Sequence, residues 1–225
     1  MHTHPPPEVV SSVEIDADAV LLQGELALPT QAKGVVLFAH GSGSSRHSPR
    51  NAYVAGVLRA AGLGTLLFDL LTAAEDRDYS TRFDIALLTS RLVAATHWIL
   101  RETPVPALPI GYFGASTGAA AALSAAAEMG TRIGAVVSRG GRPDLAGAVA
   151  LPRVTAPTLL IVGARDPAVI ALNREAYAQL GCDKALQIVP GATHLFEEPG
   201  TLEQAATLAS EWFVRWLGAA NRASR

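Results

Sequence analysis

The sequence predicts an α/β fold in which helices cover both faces of a doubly wound, mostly parallel sheet of about eight strands. Short runs of apolar residues, rich in Val, Leu and Ile, recur along the chain, and stretches with helical spacing separate them. Runs that are apolar at consecutive positions are typical of strands buried on both faces, as parallel strands are. Their alternation with helices indicates a doubly wound sheet.

The predicted elements follow one another in a single domain at 9–219. A proline-containing tail at 1–8 and the end of the chain at 220–225 are expected to be disordered or frayed. Alternating polar and apolar residues predict a hairpin of edge strands at 9–15 and 19–26. Buried strands are expected at 34–40, 65–70, 110–115, 133–138, 158–163 and 186–190. Helices are expected at 50–61, 82–101, 117–128, 169–180 and 202–217.

Composition narrows the classes of function. The chain has 225 residues, 49% of them hydrophobic, which is enough for one α/β domain with a large core. A formal net charge of −2 without a long run of Lys or Arg makes nucleic acid and anionic membranes poor partners. The single cysteine, Cys182, allows no intramolecular disulfide. No segment resembles a secretory signal or a membrane span, so we expect a soluble cytoplasmic protein of undetermined oligomeric state.

One motif carries most of the functional prediction. Gly114-Ala115-Ser116-Thr117-Gly118 fits the pattern G-x-S-x-G, between an apolar run and an alanine-rich stretch. A strand, a sharp turn and a helix are the context that a nucleophile elbow requires. Larger side chains two residues before or after the serine would collide with the neighbouring strand and helix. We therefore predict that Ser116 is a catalytic nucleophile.

A serine hydroxyl needs a general base, and the base needs an acid to orient it. His194 comes just after the last predicted strand, at the carboxyl edge where such sheets bind ligands. Asp166 follows the strand at 158–163 in a short turn and is our predicted acid. Asp144 also follows a strand and remains the alternative.

The loop after the strand at 34–40 predicts an oxyanion hole. It begins His40-Gly41-Ser42, and the N–H groups of Ser42 and Thr117 are the expected donors. His40 is expected to orient this loop rather than to perform chemistry. The same loop partly matches a dinucleotide fingerprint, but Arg46 stands at the third glycine position, and such a partial match is weak. We expect neither a cofactor nor a metal.

Substrate-binding residues are expected at the same edge of the sheet, at Arg139, Arg46 and Gly41. A planar guanidinium there would suit a carboxylate or phosphate of the substrate. The alternative is that these arginines are solvated or form ion pairs with nearby carboxylates.

Together, these motifs resemble those of the α/β-hydrolase superfamily, and within it the small, lidless, dienelactone hydrolase-like proteins. The resemblance covers 33–217 and rests on His40-Gly41, the serine motif, the Asp166 turn and His194. It implies an eight-stranded sheet and hydrolysis of small-molecule esters, lactones or thioesters through an acyl-enzyme, without a cofactor. Dienelactone hydrolases proper carry a cysteine nucleophile, whereas the elbow here carries a serine. Two alternatives remain: a cofactor-free haloperoxidase or perhydrolase with the same triad, and a non-catalytic ligand-binding scaffold.

Overall fold

The computed structural model describes residues 8–17, 19–102 and 108–223, without side chains at 102 and 219–223. Its strands are Glu8–Ala17 (β1), Val20–Pro29 (β2), Val35–Ala39 (β3), Gly64–Phe68 (β4), Ile110–Ala115 (β5), Ile133–Arg139 (β6), Thr158–Gly163 (β7) and Lys184–Val189 (β8). Its α-helices are Pro49–Ala60 (α1), Ile85–Glu102 (α2), Thr117–Met129 (α3), Gly147–Ala150 (α4), Pro167–Gln179 (α5) and Thr201–Ala223 (α6). Short 3₁₀ helices lie at Glu75–Arg77, Thr81–Phe83, Gly130–Arg132, Pro143–Ala146 and Leu151–Arg153.

All eight strands form one sheet in the order β1-β2-β4-β3-β5-β6-β7-β8. The hairpin of β1 and β2 joins the rest through an antiparallel pairing of β2 with β4. From β4 to β8 every neighbouring pair is parallel. The predicted fold class, a doubly wound and mostly parallel sheet of eight strands, is therefore confirmed.

The two faces of the sheet carry separate hydrophobic cores, and residues of β3 contribute to both. Val35, Leu37 and Ala39 pack into the core that contains residues of α2, α3 and α5. Val36 and Phe38 point the opposite way, into the core that α1 and α6 cover. Successive side chains of a strand alternate between the faces, so a strand buried on both sides must be apolar throughout.

The connection between β6 and β7 leaves the carboxyl edge of the sheet without a lid. It contains two 3₁₀ helices and the single turn of α4, and it packs against α3 and α5. This short connection agrees with the expectation of a lidless fold.

Element boundaries differ from the predictions mainly at the periphery. The predicted strand 186–190 is observed at Lys184–Val189, and the predicted helix 82–101 at Ile85–Glu102 after a 3₁₀ turn. The last helix runs six residues beyond the predicted end, to Ala223, through most of the segment expected to fray. The tail expected at 1–8 lies outside the described residues apart from Glu8, which begins β1. Among the helices that are described, none is both long and apolar enough to span a membrane.

Candidate active site

Ser116 occupies a strained turn between β5 and α3. Its φ of 51° and ψ of −122° lie in a region that residues with side chains rarely adopt. The flanking glycines make this turn sterically feasible. A Cβ on Gly114 would lie 2.5 Å from Ala119 Cα, and one on Gly118 would lie 2.1 Å from Ala39 O. The motif thus holds the serine hydroxyl at the carboxyl edge of a central strand.

His194 and Asp166 come together at the same edge. Asp166 lies between β7 and α5, and His194 follows β8. The Nδ1–H of the imidazole donates to Asp166 Oδ2 over 2.8 Å. The alternative acid, Asp144, is instead engaged by Arg142, whose Nε and Nη2 donate to its carboxylate over 2.9 and 2.7 Å. The carboxylate that orients the histidine is therefore that of Asp166.

Ser116 and His194 line one cavity of about 260 Å³. Gly41 and Gly140 line it as well, and a Cβ on Gly140 would lie 3.7 Å from His194 Cε1. Within the described residues, no hydrogen bond joins the serine hydroxyl to the imidazole. Catalytic hydrogen bonds are often long in unliganded sites and shorten when substrate binds. The arrangement brings the serine hydroxyl and the imidazole together around a space that suits a small molecule.

The two expected oxyanion donors are linked by a hydrogen bond that the sequence did not suggest. Thr117 begins α3, so its N–H has no acceptor within the helix. The Ser42 N–H donates to Thr117 Oγ1 over 2.9 Å. This bond ties the loop after β3 to the elbow. An oxyanion at this position would share the Ser42 N–H with the threonine hydroxyl or displace that hydroxyl.

His40 lies at the start of the loop after β3 and fixes its position through two hydrogen bonds. It is buried, its Nε2 accepts the Leu70 N–H over 3.0 Å, and its Nδ1–H donates to Gly41 O over 3.0 Å. The bond that Nε2 accepts requires the neutral imidazole. Burial lowers the pKa of His40 below its ordinary value, although the Gly41 carbonyl and the charges of Asp69 and Asp76 act in the opposite direction. This geometry matches the expected positioning role.

The structure separates the three residues expected to bind substrate. Arg139 and Gly41 line the cavity with Ser116 and His194, whereas Arg46 is not among the described residues that line it. Arg46 forms an ion pair with Asp69, which also accepts its backbone N–H over 2.7 Å. Two other lining residues, Arg50 and Asn51, belong to the first turn of α1. Asn51 was missed because a single asparagine within a predicted helix carries no motif.

A larger groove, of about 1040 Å³, lies elsewhere on the molecule, between α2, α3 and the connection of β6 to β7. Its lining includes His97 and Glu128 but not Ser116, Asp166 or His194. We place the candidate site in the smaller cavity because it holds the strained serine and the histidine that is paired with a carboxylate.

The sheet order, the elbow and the histidine–aspartate pair define an α/β-hydrolase. No protein-family model matches the chain. A dienelactone hydrolase from Anabaena variabilis is 58% identical, has a TM-score of 0.90, and covers 95% of this chain and 99% of its own. The chain belongs to the dienelactone hydrolase family. A Pyrococcus furiosus esterase has a TM-score of 0.76 over 97% of this chain and 99% of its own, and its 20% identity shows the fold alone.

Curated relatives add a different name. Two Mycobacterium tuberculosis proteins, which carry the provisional name of phosphoribosyl transferase, are 57% identical to this chain over 212 residues. The match covers 94% of this chain and 48% of each relative. The chain thus spans about half the length of the curated relatives it matches.

Proposed function

We propose that this chain is a serine hydrolase that cleaves carboxylic esters, lactones or thioesters through an acyl-enzyme on Ser116. The observation that carries the proposal is the strained serine at the elbow, in one cavity with a histidine that is hydrogen-bonded to Asp166. A strained serine has no structural use at this turn, since glycine would fit it at lower cost.

In the proposed mechanism, His194 Nε2 takes the proton of the Ser116 hydroxyl as its oxygen attacks the ester carbonyl carbon. The Asp166 carboxylate accepts the hydrogen bond from Nδ1–H, so Nε2 is the free basic nitrogen. The same carboxylate stabilises the imidazolium that forms. The imidazolium then protonates the leaving alcohol as the tetrahedral intermediate collapses to the acyl-enzyme. Water, deprotonated by the same imidazole, releases the acid and restores the serine.

The negative charge of the tetrahedral intermediate would be held by the backbone at the start of α3. The Thr117 N–H is the first donor, and the N-terminal end of the helix adds a favourable dipole. The Ser42 N–H is the second donor, once the oxyanion shares or replaces its bond to Thr117 Oγ1. Removal of one such donor typically lowers kcat by about 10²–10³.

The name of the curated relatives is compatible with this proposal because it applies to proteins twice as long. We infer that the half represented here supplies hydrolase chemistry.

Replacement of Ser116 by alanine tests the function. We expect Ser116→Ala to abolish both turnover of p-nitrophenyl acetate and labelling by a fluorophosphonate probe. Ser90→Ala, which removes an exposed hydroxyl on α2, serves as the control and is expected to leave both unchanged. Turnover by Ser116→Ala at the wild-type rate, in a folded protein, would refute the assignment.

A further inference from the structure

Arg139 carries a buried guanidinium group. It ends β6, and only 7% of its surface is exposed. Its Nε and Nη1 have no hydrogen-bond partner, and none of the described carboxylates lies within ion-pair distance of the guanidinium. The plane of Phe196, 5.7 Å from Cζ to the ring centroid, is a weak substitute. A buried charge without a partner destabilises a protein, so its retention points to a ligand.

The neighbouring arginines behave differently. Arg46 pairs with Asp69, and Arg142 pairs with Asp144. The charges of these two loop arginines are therefore balanced by carboxylates of the protein itself. Arg139 also lines the site cavity, but none of the described carboxylates pairs with its guanidinium.

Two residues of the first turn of α1, Arg50 and Asn51, line the same cavity. Burial and the positive charge of nearby Arg50 lower the pKa of Arg139 to about 10, so Arg139 remains charged near neutral pH. Arg50 donates to Glu197 over 3.3 Å, but that carboxylate is largely exposed. Asn51 is 2% exposed, and its Oδ1 has no hydrogen-bond partner. The N-terminal end of this twelve-residue helix adds positive potential.

We propose that Arg139 and Arg50, with the first turn of α1, bind a phosphate group carried by the substrate next to the ester bond that Ser116 attacks. This rests on the proposed hydrolase function and names its substrate class. Two guanidinium groups and a helix N-terminus match a dianion with three terminal oxygens better than a carboxylate with two. Asn51 supplies a polar group for a hydroxyl of the same molecule.

The cavity also limits the size of this substrate. Its volume is about 260 Å³, and Ser116, Arg139 and Arg50 all line it, so the serine and the proposed anion site share one small space. Phosphate and carbonyl must therefore be separated by only a few bonds. The substrate class is an ester or lactone of a small phosphorylated hydroxy compound.

Binding to Ser116→Ala tests the proposal without requiring turnover. Glycerol 3-phosphate, glycerate and glycerol are compared by calorimetry; they share a three-carbon frame and differ in charge and oxygen geometry. We expect glycerol 3-phosphate to bind about tenfold or more tightly than glycerate, and glycerol not to bind. Arg139→Gln in this background should weaken phosphate binding by about 30-fold or more, the effect of removing one partner of a buried charge pair. Arg139→Lys should recover part of the loss, since it keeps the charge but not the planar fork.

Arg174→Gln, an exposed position on α5, is the matched control and should leave binding unchanged. Thermal unfolding of Arg139→Gln provides a second readout: an unpaired buried charge predicts no loss of stability, whereas a structural role predicts a lower Tm with unaltered phosphate binding.

Equal or tighter binding of glycerate, or no binding of glycerol 3-phosphate, overturns the proposal. If Arg139→Gln does not fold, phosphate binding is measured in Arg50→Gln instead. The ratio of the affinities for glycerol 3-phosphate and glycerate then decides whether the site prefers phosphate. Phosphate binding without any ester turnover by the wild type would reject the hydrolase function alone.

Discussion

Gly118→Ala is the substitution whose effect the structure defines most sharply. The added Cβ would lie 2.1 Å from Ala39 O and 2.5 Å from His40 O. Both atoms belong to the backbone where β3 enters the loop that carries Ser42, so rotation of a side chain cannot relieve the overlap. Ordinary contacts of this kind are about 3.4 Å, and α3 or β3 must therefore move by more than an ångström within a close-packed core.

The cost can be set against the gain that alanine normally brings to a helix. Overpacking of a core costs about 1–3 kcal/mol, and contact with immobile backbone belongs at the upper end of that range. The better helix propensity of alanine returns about 1 kcal/mol. We expect the free energy of unfolding to fall by about 2 kcal/mol, which lowers the urea midpoint by roughly 1 M. Ester turnover should fall as well, because the movement separates Ser42 from Thr117.

Gly56→Ala is the matched control. Gly56 also lies within a helix, α1, but a Cβ there meets nothing within 4 Å. The same substitution should therefore raise the free energy of unfolding by about 0.5–1 kcal/mol and leave turnover unchanged. Equilibrium urea unfolding and p-nitrophenyl acetate hydrolysis measure both effects. If Gly118→Ala is as stable as the wild type, the close approach of α3 to β3 is wrong, and with it the explanation of the motif.

Two further predictions concern the acid and the loop. Asp166→Asn should lower kcat by about 10⁴, because the amide no longer selects the tautomer with a free Nε2. Asp144→Asn should change kcat less than tenfold. If steady-state assays give the reverse order, Asp144 is the acid instead. For His40, burial lowers the folded-state pKa below 6.5, so the unfolded chain binds the proton more readily. The free energy of unfolding should then decrease as pH falls below about 6.5, by up to about 1.4 kcal/mol per pH unit until the folded-state pKa is reached, and His40→Gln should remove this contribution. Urea unfolding of both proteins between pH 5 and 8 measures it, and equal slopes would contradict the buried neutral imidazole.

The order of elements could be predicted from sequence because both faces of the sheet are buried. Interior strands such as β3 and β7 appear as uninterrupted apolar runs, and their bounds were predicted to within one or two residues. The edge strand β8 is only partly buried over most of its length, so its signal was confined to its apolar end and the prediction began two residues late. The C-terminal part of α6 likewise lacks the apolar face that marked the helix as far as Leu217.

The site could be predicted where a topological rule fixes it. Ser116, Asp166 and His194 each follow a strand, and parallel strands end at one edge, so three distant segments were expected to meet. Contacts that depend on the path of a loop had no such rule. The pairing of Arg46 with Asp69 and the bond from Ser42 to Thr117 depend on loop geometry that composition and periodicity do not encode.

The end of β6 links the nucleophile to the proposed anion site. The Ser116 N–H donates to Arg139 O over 3.3 Å, and Ser116 O accepts the Arg142 N–H over 3.0 Å, so this segment holds the elbow from both sides. The side chain of the same Arg139 lines the cavity. One residue therefore supports the serine through its backbone and lines the cavity, so the proposed anion site belongs to the strand next to the serine rather than to a surface loop. A substrate with its anionic group one or two bonds too far from the carbonyl would therefore lose productive alignment, and kcat should fall more steeply than affinity as that spacing increases.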